Sequence, residues 1–518
     1  MFFFTSAKRV SGLQISWQGP LKSTFALPSQ PYRSSSAALT TAQRALAART
    51  SGDQTLTRHS NNINSKLLLT GYNCISQRCT STSFHSSPKI AARSRKWFYK
   101  QQTFLNTKDC SSVEQVVQLT MENIKKLAPG NYCAIWVRIS ELLQKEHRVV
   151  HDTTFVENQK LEQELKRILY KTIRSADMFS PKHLSGIILA LAKIVRHGRR
   201  VGRIDSGMRD NESSTLLHPL YRILLGDNSI NQDDNMLLPL FEAANNRLQK
   251  FEPRYLSNLS YACALLRANP TYDSGITLFD NIASEAIKQI DKYNGQDVSN
   301  MVWAFATLSI QHSELFKAVG DTVVHTNLKR FQPQDFSNIV WSFATLHEDH
   351  PLMFQSVGDE IAALDLRGFK PQELSNTVWS FATVNADHPA MFQKVGDTIV
   401  GNYVDLKKFT PQNISNIVWA FATAHEQHLH LFKKVGVTIA EHDDLKAFSP
   451  QALSNIVSAF SSAGVVHLKM FDKIGNTIAE YEDLKSFKPQ EISSVVRAFE
   501  TVNVDHPGML QRINAHGT

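Results

Sequence analysis

The chain has 518 residues, 42% of them hydrophobic, and a formal net charge of +9. That is apolar enough for a sizeable core, but no run of 18 apolar residues is present to cross a membrane. Residues 1–100 hold 14 Lys/Arg and one acid, Asp53, leaving 42 basic and 46 acidic residues of the total 56 and 47 in 101–518, so net charge alone points to no nucleic acid.

In chain order, residues 1–100 form a Ser-, Thr- and Arg-rich leader, from "MFFFTSAKRV" to "KIAARSRKWFYK". Such acid-poor composition is that of a disordered organelle transit peptide, and "MFFF" is shorter than the roughly 7–15 apolar residues of a secretory signal. The mature chain is therefore expected in the mitochondrial matrix, with the plastid as second choice. Cys74, Cys79, Cys110, Cys133 and Cys263 form no CxxC pair and read as reduced thiols.

Residues 101–250 read as divergent helical repeats. A weak copy surrounds Trp136, another follows Pro181 in "FSPKHLSGIILALA", and a polar loop insertion is expected at 197–233. From 251 to 518 the repeats are regular. "FKPQELSNTVWSFATV" at Phe369 recurs as "FQPQDFSNIVWSFATL" at Phe331 and "FTPQNISNIVWAFATA" at Phe409. The aligned prolines Pro333, Pro371, Pro411, Pro450 and Pro489 lie 38–40 residues apart. Gly295 takes the proline's place before Trp303, and Pro253 precedes Tyr261. A period of this size means a solenoid. The predicted fold is all-α: an α-solenoid of 38–40-residue helix-turn-helix repeats, about eight pairs between 112 and 518.

Proline at N1 starts each first helix, Ser180, Thr410 and Ser449 are predicted N-caps, and Phe at N′ staples onto N4 (Phe331 on Phe336, Phe369 on Leu374, Phe409 on Ile414, Phe448 on Leu453). Phe336, Ile339, Val340, Phe343 and Ala344 form one apolar face, opposite Asn338, Trp341, Ser342 and Thr345. The second helix reads "LMFQSVGDEIAAL". Its mid-helix glycine recurs as Gly320, Gly358, Gly396, Gly436 and Gly475, at a cost of about 1 kcal/mol against Ala, which implies close backbone approach between stacked helices. A short final helix after the last "DHP" turn shows no obvious polar cap.

The phrase "SNIVWSFATL" resembles the helical repeats of the organellar octotricopeptide and heptatricopeptide RNA-binding families. These are related to FAST-kinase-like and RAP-domain proteins and to relatives of the RNA-editing substrate-binding complex. The resemblance is strong over 250–518 and weak over 130–250. It implies single-stranded RNA binding in RNA processing, stability, ribosomal RNA maturation or translation. The RAP module itself is not recognised, so the inherited activity is binding and no enzyme is expected. The alternative is a protein–protein interaction scaffold of armadillo or TPR type, and protein partners stay open in either case.

The candidate RNA-binding residues are two uniform ladders and one basic series. The ladders are Trp303, Trp341, Trp379 and Trp419, with Tyr261 before them, and Asn300, Asn338, Asn376 and Asn416, flanked by Asn258 and Asn455. They read either as packing, with Asn serving backbone or Trp N–H groups, or as identical contacts to every nucleotide, where stacking is worth about 1–3 kcal/mol per base. A base-discriminating residue should vary among repeats, because a useful target is not a homopolymer, so the uniform ladders argue for packing or for contacts made identically to every nucleotide. Sequence reading is therefore expected at Ala304, Ser342, Ser380 and Ala420 and at the turn residues His347, Asn385 and His425. Lys329, Arg330, Arg367, Lys407, Lys408, Lys446 and Lys485 form either a phosphate-tracking stripe or a solvated loop edge. "HEQHLH" spaces His425 and His428 at i, i+3 in a turn, unlike the i, i+4 of HExxH, and reads as capping or surface histidines. No metal, cofactor or small-molecule substrate is expected, since no Walker A, GxGxxG or GxSxG pattern occurs.

Overall fold

The computed structural model describes residues 105–145, 155–205, 220, 224 and 236–516, apart from 273–274, 402–403 and 482. The predicted leader and most of the predicted loop insertion lie outside these residues.

Among the described residues every regular element is helical, and an isolated bridge joins Thr271 to Thr277. The first helices are Pro181–Asp205, Pro253–Leu266, Gly295–Thr307, Pro333–Leu346, Pro371–Thr383, Pro411–Thr423, Pro450–Ser462 and Pro489–Thr501. The second helices are Leu278–Ile287, Ser313–His325, Pro351–Ala363, Pro389–Val400, Leu429–Ala440, Leu468–Ala479 and Pro507–His516. Each first helix packs on the next first helix, and each second helix on the next second helix, giving the two-layered α-solenoid expected from the period. The first helices pack along most of their length and the second helices less intimately. At the amino-terminal end Pro129–Lys145 extends the first layer onto Pro181–Asp205, with Val113–Asn123 and Phe155–Arg174 alongside. Trp136, on Pro129–Lys145, is fully buried and donates its indole N–H to Thr172 Oγ1 at 2.9 Å.

The helix starts follow from local chemistry. Ser180, Thr410 and Ser449 accept the N–H of the third helical residue through their hydroxyls. Where the cap is Gln332, Lys370 or Lys488, the acid at N3 turns back instead: Asp335, Glu373 and Glu491 accept the cap N–H at 2.8–2.9 Å. The staple is formed as well, with the Phe331 and Phe336 rings 5.6 Å apart.

Between the layers runs a spine of phenylalanines packed edge to face. Phe316, Phe343, Phe354 and Phe381 follow one another at 4.9, 6.5 and 5.1 Å, alternating between second and first helices. Phe392 with Phe421, Phe432 with Phe460 and Phe471 with Phe499 continue it. A buried Phe contributes about 1.5–3 kcal/mol, so this spine holds the layers together.

The mid-helix glycines have a different explanation from the backbone approach expected. Each lies under the imidazole that opens the next second helix: Gly320 under His350, Gly358 under His388, Gly396 under His428, Gly436 under His467 and Gly475 under His506. A β-carbon at any of them would overlap the ring, at 2.6 Å from His467 Cδ2 in the Gly436 case. The ring is held at that spot because Nδ1 accepts the third N–H of its own helix, for example Met391 N at 3.2 Å from His388. At Gly436 the lysine two residues earlier adds a second tie. Lys434 Nζ donates to the carbonyls of Ile399, Val400, Gly401 and Val404 at 2.9–3.3 Å, capping the end of Pro389–Val400.

Two further differences from expectation concern the ends. Pro181–Asp205 is helical through the first part of the predicted loop. Arg199 explains this by donating to the Leu265 carbonyl at 3.1 Å, and Arg196 reaches the Tyr261 hydroxyl, so tertiary contacts extend the helix. At the other end, Pro489–Thr501 carries exposed Arg497 and Glu500 where Pro333–Leu346 buries Trp341 and Ala344, which makes that face polar.

Gly358→Ala is expected to destabilise the array by about 1–3 kcal/mol, as overpacking does. In an open helix the same change would stabilise by about 1 kcal/mol. Urea titration followed by circular dichroism reads the sign, and adding His388→Ala should recover part of the stability.

Candidate nucleic-acid interface

Opposite the phenylalanine spine, the first helices from Gly295–Thr307 to Pro450–Ser462 carry one polar stripe at i, i+4, i+7 and i+11, most accessible at its glutamines and buried at Trp341, Trp379 and Asn416. In Pro333–Leu346 the stripe is Gln334, Asn338, Trp341 and Thr345; in Pro371–Thr383 it is Gln372, Asn376, Trp379 and Thr383. Gly295–Thr307 and Pro411–Thr423 repeat it as Gln296, Asn300, Trp303, Thr307 and Gln412, Asn416, Trp419, Thr423. Pro450–Ser462 keeps Gln451 and Asn455 and then turns to Ser458 and Ser462.

The tryptophans lie deepest in this stripe. Trp341 and Trp379 are 7% and 5% exposed, too little for a base to stack on a ring face. Trp303 and Trp419 are half-buried, and Trp303 packs on Tyr261 with centroids 5.0 Å apart.

The asparagines behave otherwise. Asn300, Asn338, Asn376 and Asn455 are half-buried and Asn416 is 4% exposed. Their side-chain amides take no hydrogen-bond partner among the described residues, neither backbone nor indole. The glutamines one turn earlier are also without a side-chain partner there, with Gln296, Gln334 and Gln372 exposed and Gln412 and Gln451 half-buried. The sequence reading missed this glutamine ladder, although "PQ" recurs in the repeated phrase. A polar residue at N2 of a helix reads as ordinary solvated surface, and only its alignment with the Asn ladder marks it.

The positions expected to read sequence divide into two groups. Ala304, Ser342, Ser380 and Ala420 are fully buried in the first layer, not on its surface. The Ser342 and Ser380 hydroxyls donate back to the Asn338 and Asn376 carbonyls at 2.6 Å, so small size for helix packing selects them. His347, Asn385 and His425 are exposed residues ending first helices in the left-handed conformation, φ 54–57°. His428 caps the Leu429–Ala440 helix through Nδ1, with Leu431 N at 3.2 Å.

The basic series lies on 3-10 turns just before the first helices. A buried leucine anchors each turn (Leu328, Leu366, Leu406, Leu445, Leu484) and leaves the next residue exposed. The turn is set by a side chain two residues before the cation: Asp405 accepts Lys407 N at 3.0 Å, Asp444 accepts Lys446 N at 2.8 Å and Asn327 accepts Lys329 N at 3.2 Å. The same aspartates dilute the charge. Arg367 pairs with Asp365, whose carboxyl its hydrogen bonds push down to about 2, and Lys485 pairs with Asp483 at 3.2 Å. Lys329, Arg330, Lys407, Lys408 and Lys446 form no ion pair among the described residues. The first-helix N-termini, a common anion site, are already occupied by the N3 side chains Asp335, Glu373, Asn413 and Glu491. Four lysines of the turns and Arg330 are thus cations left without an ion pair among the described residues of this face.

This layer is the part of the chain with a recognisable relative. Residues 234–389 match the family model described as RNA-editing substrate-binding complex 6 protein. The segment is similar to that family. The match spans under a third of the chain, from the helix Leu238–Asn245 to the first residue of Pro389–Val400, and bears out the resemblance read from the repeated phrase. The repeats starting at Pro411, Pro450 and Pro489 continue the same phrase beyond it. No curated protein matches the chain.

Acrylamide should separate the ladder tryptophans. Trp303→Phe or Trp419→Phe should remove quenchable fluorescence, whereas Trp341→Phe or Trp379→Phe should remove emission the quencher barely reaches. Stern–Volmer titrations of the four variants check this.

Proposed function

We propose that this protein binds single-stranded RNA along its first-helix layer, within a mitochondrial RNA-editing or RNA-processing assembly, and that it acts by holding the transcript and not by catalysis. The observation that carries the reading is the row of partnerless amides, one Gln–Asn pair per repeat, flanked by lysines without ion-pair partners. These amide atoms are not sealed from solvent, so each keeps a donor and an acceptor open to a ligand. The family's printed name, RNA-editing substrate-binding complex 6, supports RNA as that ligand and an editing assembly as the setting. Residues 101–518 carry slightly more acid than base, so attraction to phosphate comes from the lysine edge alone.

Fluorescence anisotropy with single-stranded RNA, single-stranded DNA and duplex, from low to physiological salt, tests the reading. Single-stranded RNA should bind best. Replacing Lys407, Lys408 and Lys446 by Ala should weaken all RNA sequences alike and flatten the salt dependence by about 0.7 for each phosphate left without its lysine. No binding of any strand at physiological salt would leave a protein scaffold as the better account.

The leader makes a separate prediction. Residues 1–100, with 14 Lys/Arg and one acid, should carry a fluorescent reporter into mitochondria of a eukaryotic cell, and reporter in the cytosol would remove the matrix assignment.

A further inference from the structure

We infer that the Gln–Asn ladder reads a run of one base, and that this base is adenine. The inference rests on the single-stranded RNA reading above and adds the sequence it selects. Five consecutive first helices carry the same pair on the same stripe: Gln296 with Asn300, Gln334 with Asn338, Gln372 with Asn376, Gln412 with Asn416 and Gln451 with Asn455. The residue types do not change from one repeat to the next at these two positions, although Asn416 is buried deeper than the others. An array meant for mixed sequence would vary where it touches bases. The buried neighbours Ala304, Ser342, Ser380 and Ala420 do vary, but they do not reach the surface. Five identical sites in series therefore select five identical units.

The pair's chemistry names the unit. A carboxamide offers one acceptor and one donor side by side, the complement of the adenine N6 amino group and N7. Guanine presents two acceptors on that edge, which suits Arg or Lys, and cytosine presents an amino donor, which suits Glu or Asp. The stripe holds neither cation nor carboxylate from Gly295 through Ser462. Asn416 is 4% exposed as a residue, yet its amide atoms still reach solvent and take no partner among the described residues. The ladder is bounded. Arg254 replaces the glutamine in Pro253–Leu266, and Ser494 replaces the asparagine in Pro489–Thr501.

The test is anisotropy of the full chain at physiological salt with labelled 12-mers of oligo(A), oligo(U), oligo(C) and a mixed sequence. Oligo(A) should bind at least about tenfold tighter than the mixed strand. The variant Asn338→Ser with Asn376→Ser uses the residue that the chain itself carries at Ser494. It should lose that preference, its affinity for oligo(A) falling to no more than that for the mixed strand, and an unchanged thermal melt would show it folded. Equal binding of all strands, preference for another base, or a preference that survives the double variant would overturn the inference while leaving RNA binding intact. Failure of every strand to bind would instead remove the RNA reading on which it rests.

Discussion

The histidines that open the second helices, from His350 to His506, each join three elements through one ring. Nδ1 accepts an N–H of the ring's own helix, so the imidazole hydrogen sits on Nε2 in the neutral form. Nε2 then faces the preceding second helix, meeting Asp321 from His350, Asp359 from His388 and Asp397 from His428, each at 3.2 Å. The ring edge meets a first-helix phenylalanine, Phe343, Phe381 or Phe421, with centroids 6.0–6.4 Å apart. Its face lies on the bare glycine of the repeat before. A cap of this kind is worth about 1 kcal/mol, but its larger effect is geometric. It fixes the separation and rotation of successive repeats, and every ladder on the first helices inherits that spacing.

The two layers consequently divide their work. The second layer carries the register, through groups whose identity is constrained by contact: histidine, glycine and an acid. Hydrogen bonds from Lys317 and His350 hold the Asp321 carboxyl below its ordinary range, as expected where it accepts from the ring. At Gly436 the acid is replaced by Val437, and His467 keeps its cap on Met470 without a carboxylate among the described residues. The joint there rests on the glycine contact and the phenylalanine spine. The first layer, packed along most of the length of its helices, presents the same polar stripe repeatedly.

Much of this architecture is legible in the sequence because it is written locally. The period, the proline starts, the Ser and Thr caps and the Phe331–Phe336 staple involve neighbours within about one turn, and all are formed. The glycines were legible as close contacts, but their partner is about 30 residues away, and nothing local says whether it is backbone or imidazole. Exposure is the harder quantity. Ser342 and Ala420 sit on the polar side of a helical wheel, but both first-layer neighbours press on that helix and bury them. A wheel drawn for one helix has one buried face; a helix inside a layer has three. The same fact explains why the polar stripe is a single line of four residues, and why Gln334 belongs to it while Ser342 does not.

This geometry also decides how a nearly neutral body can hold a polyanion. Each turn cation except Lys329 and Arg330 follows an aspartate that shapes its turn, so most of the positive edge cannot be made strongly positive without losing the turn. Electrostatic attraction is accordingly modest and salt-sensitive. Discrimination must come from the amides, where a mismatched base leaves a desolvated donor or acceptor unpaired at about 1–3 kcal/mol. A single such site would select weakly. Sites fixed in series on one rigid layer act on one strand together, so that after the first contact each further one is intramolecular. Uniformity then becomes an advantage: a small preference, repeated five times in register, suffices to pick out a homopolymeric run without any site needing to bind tightly.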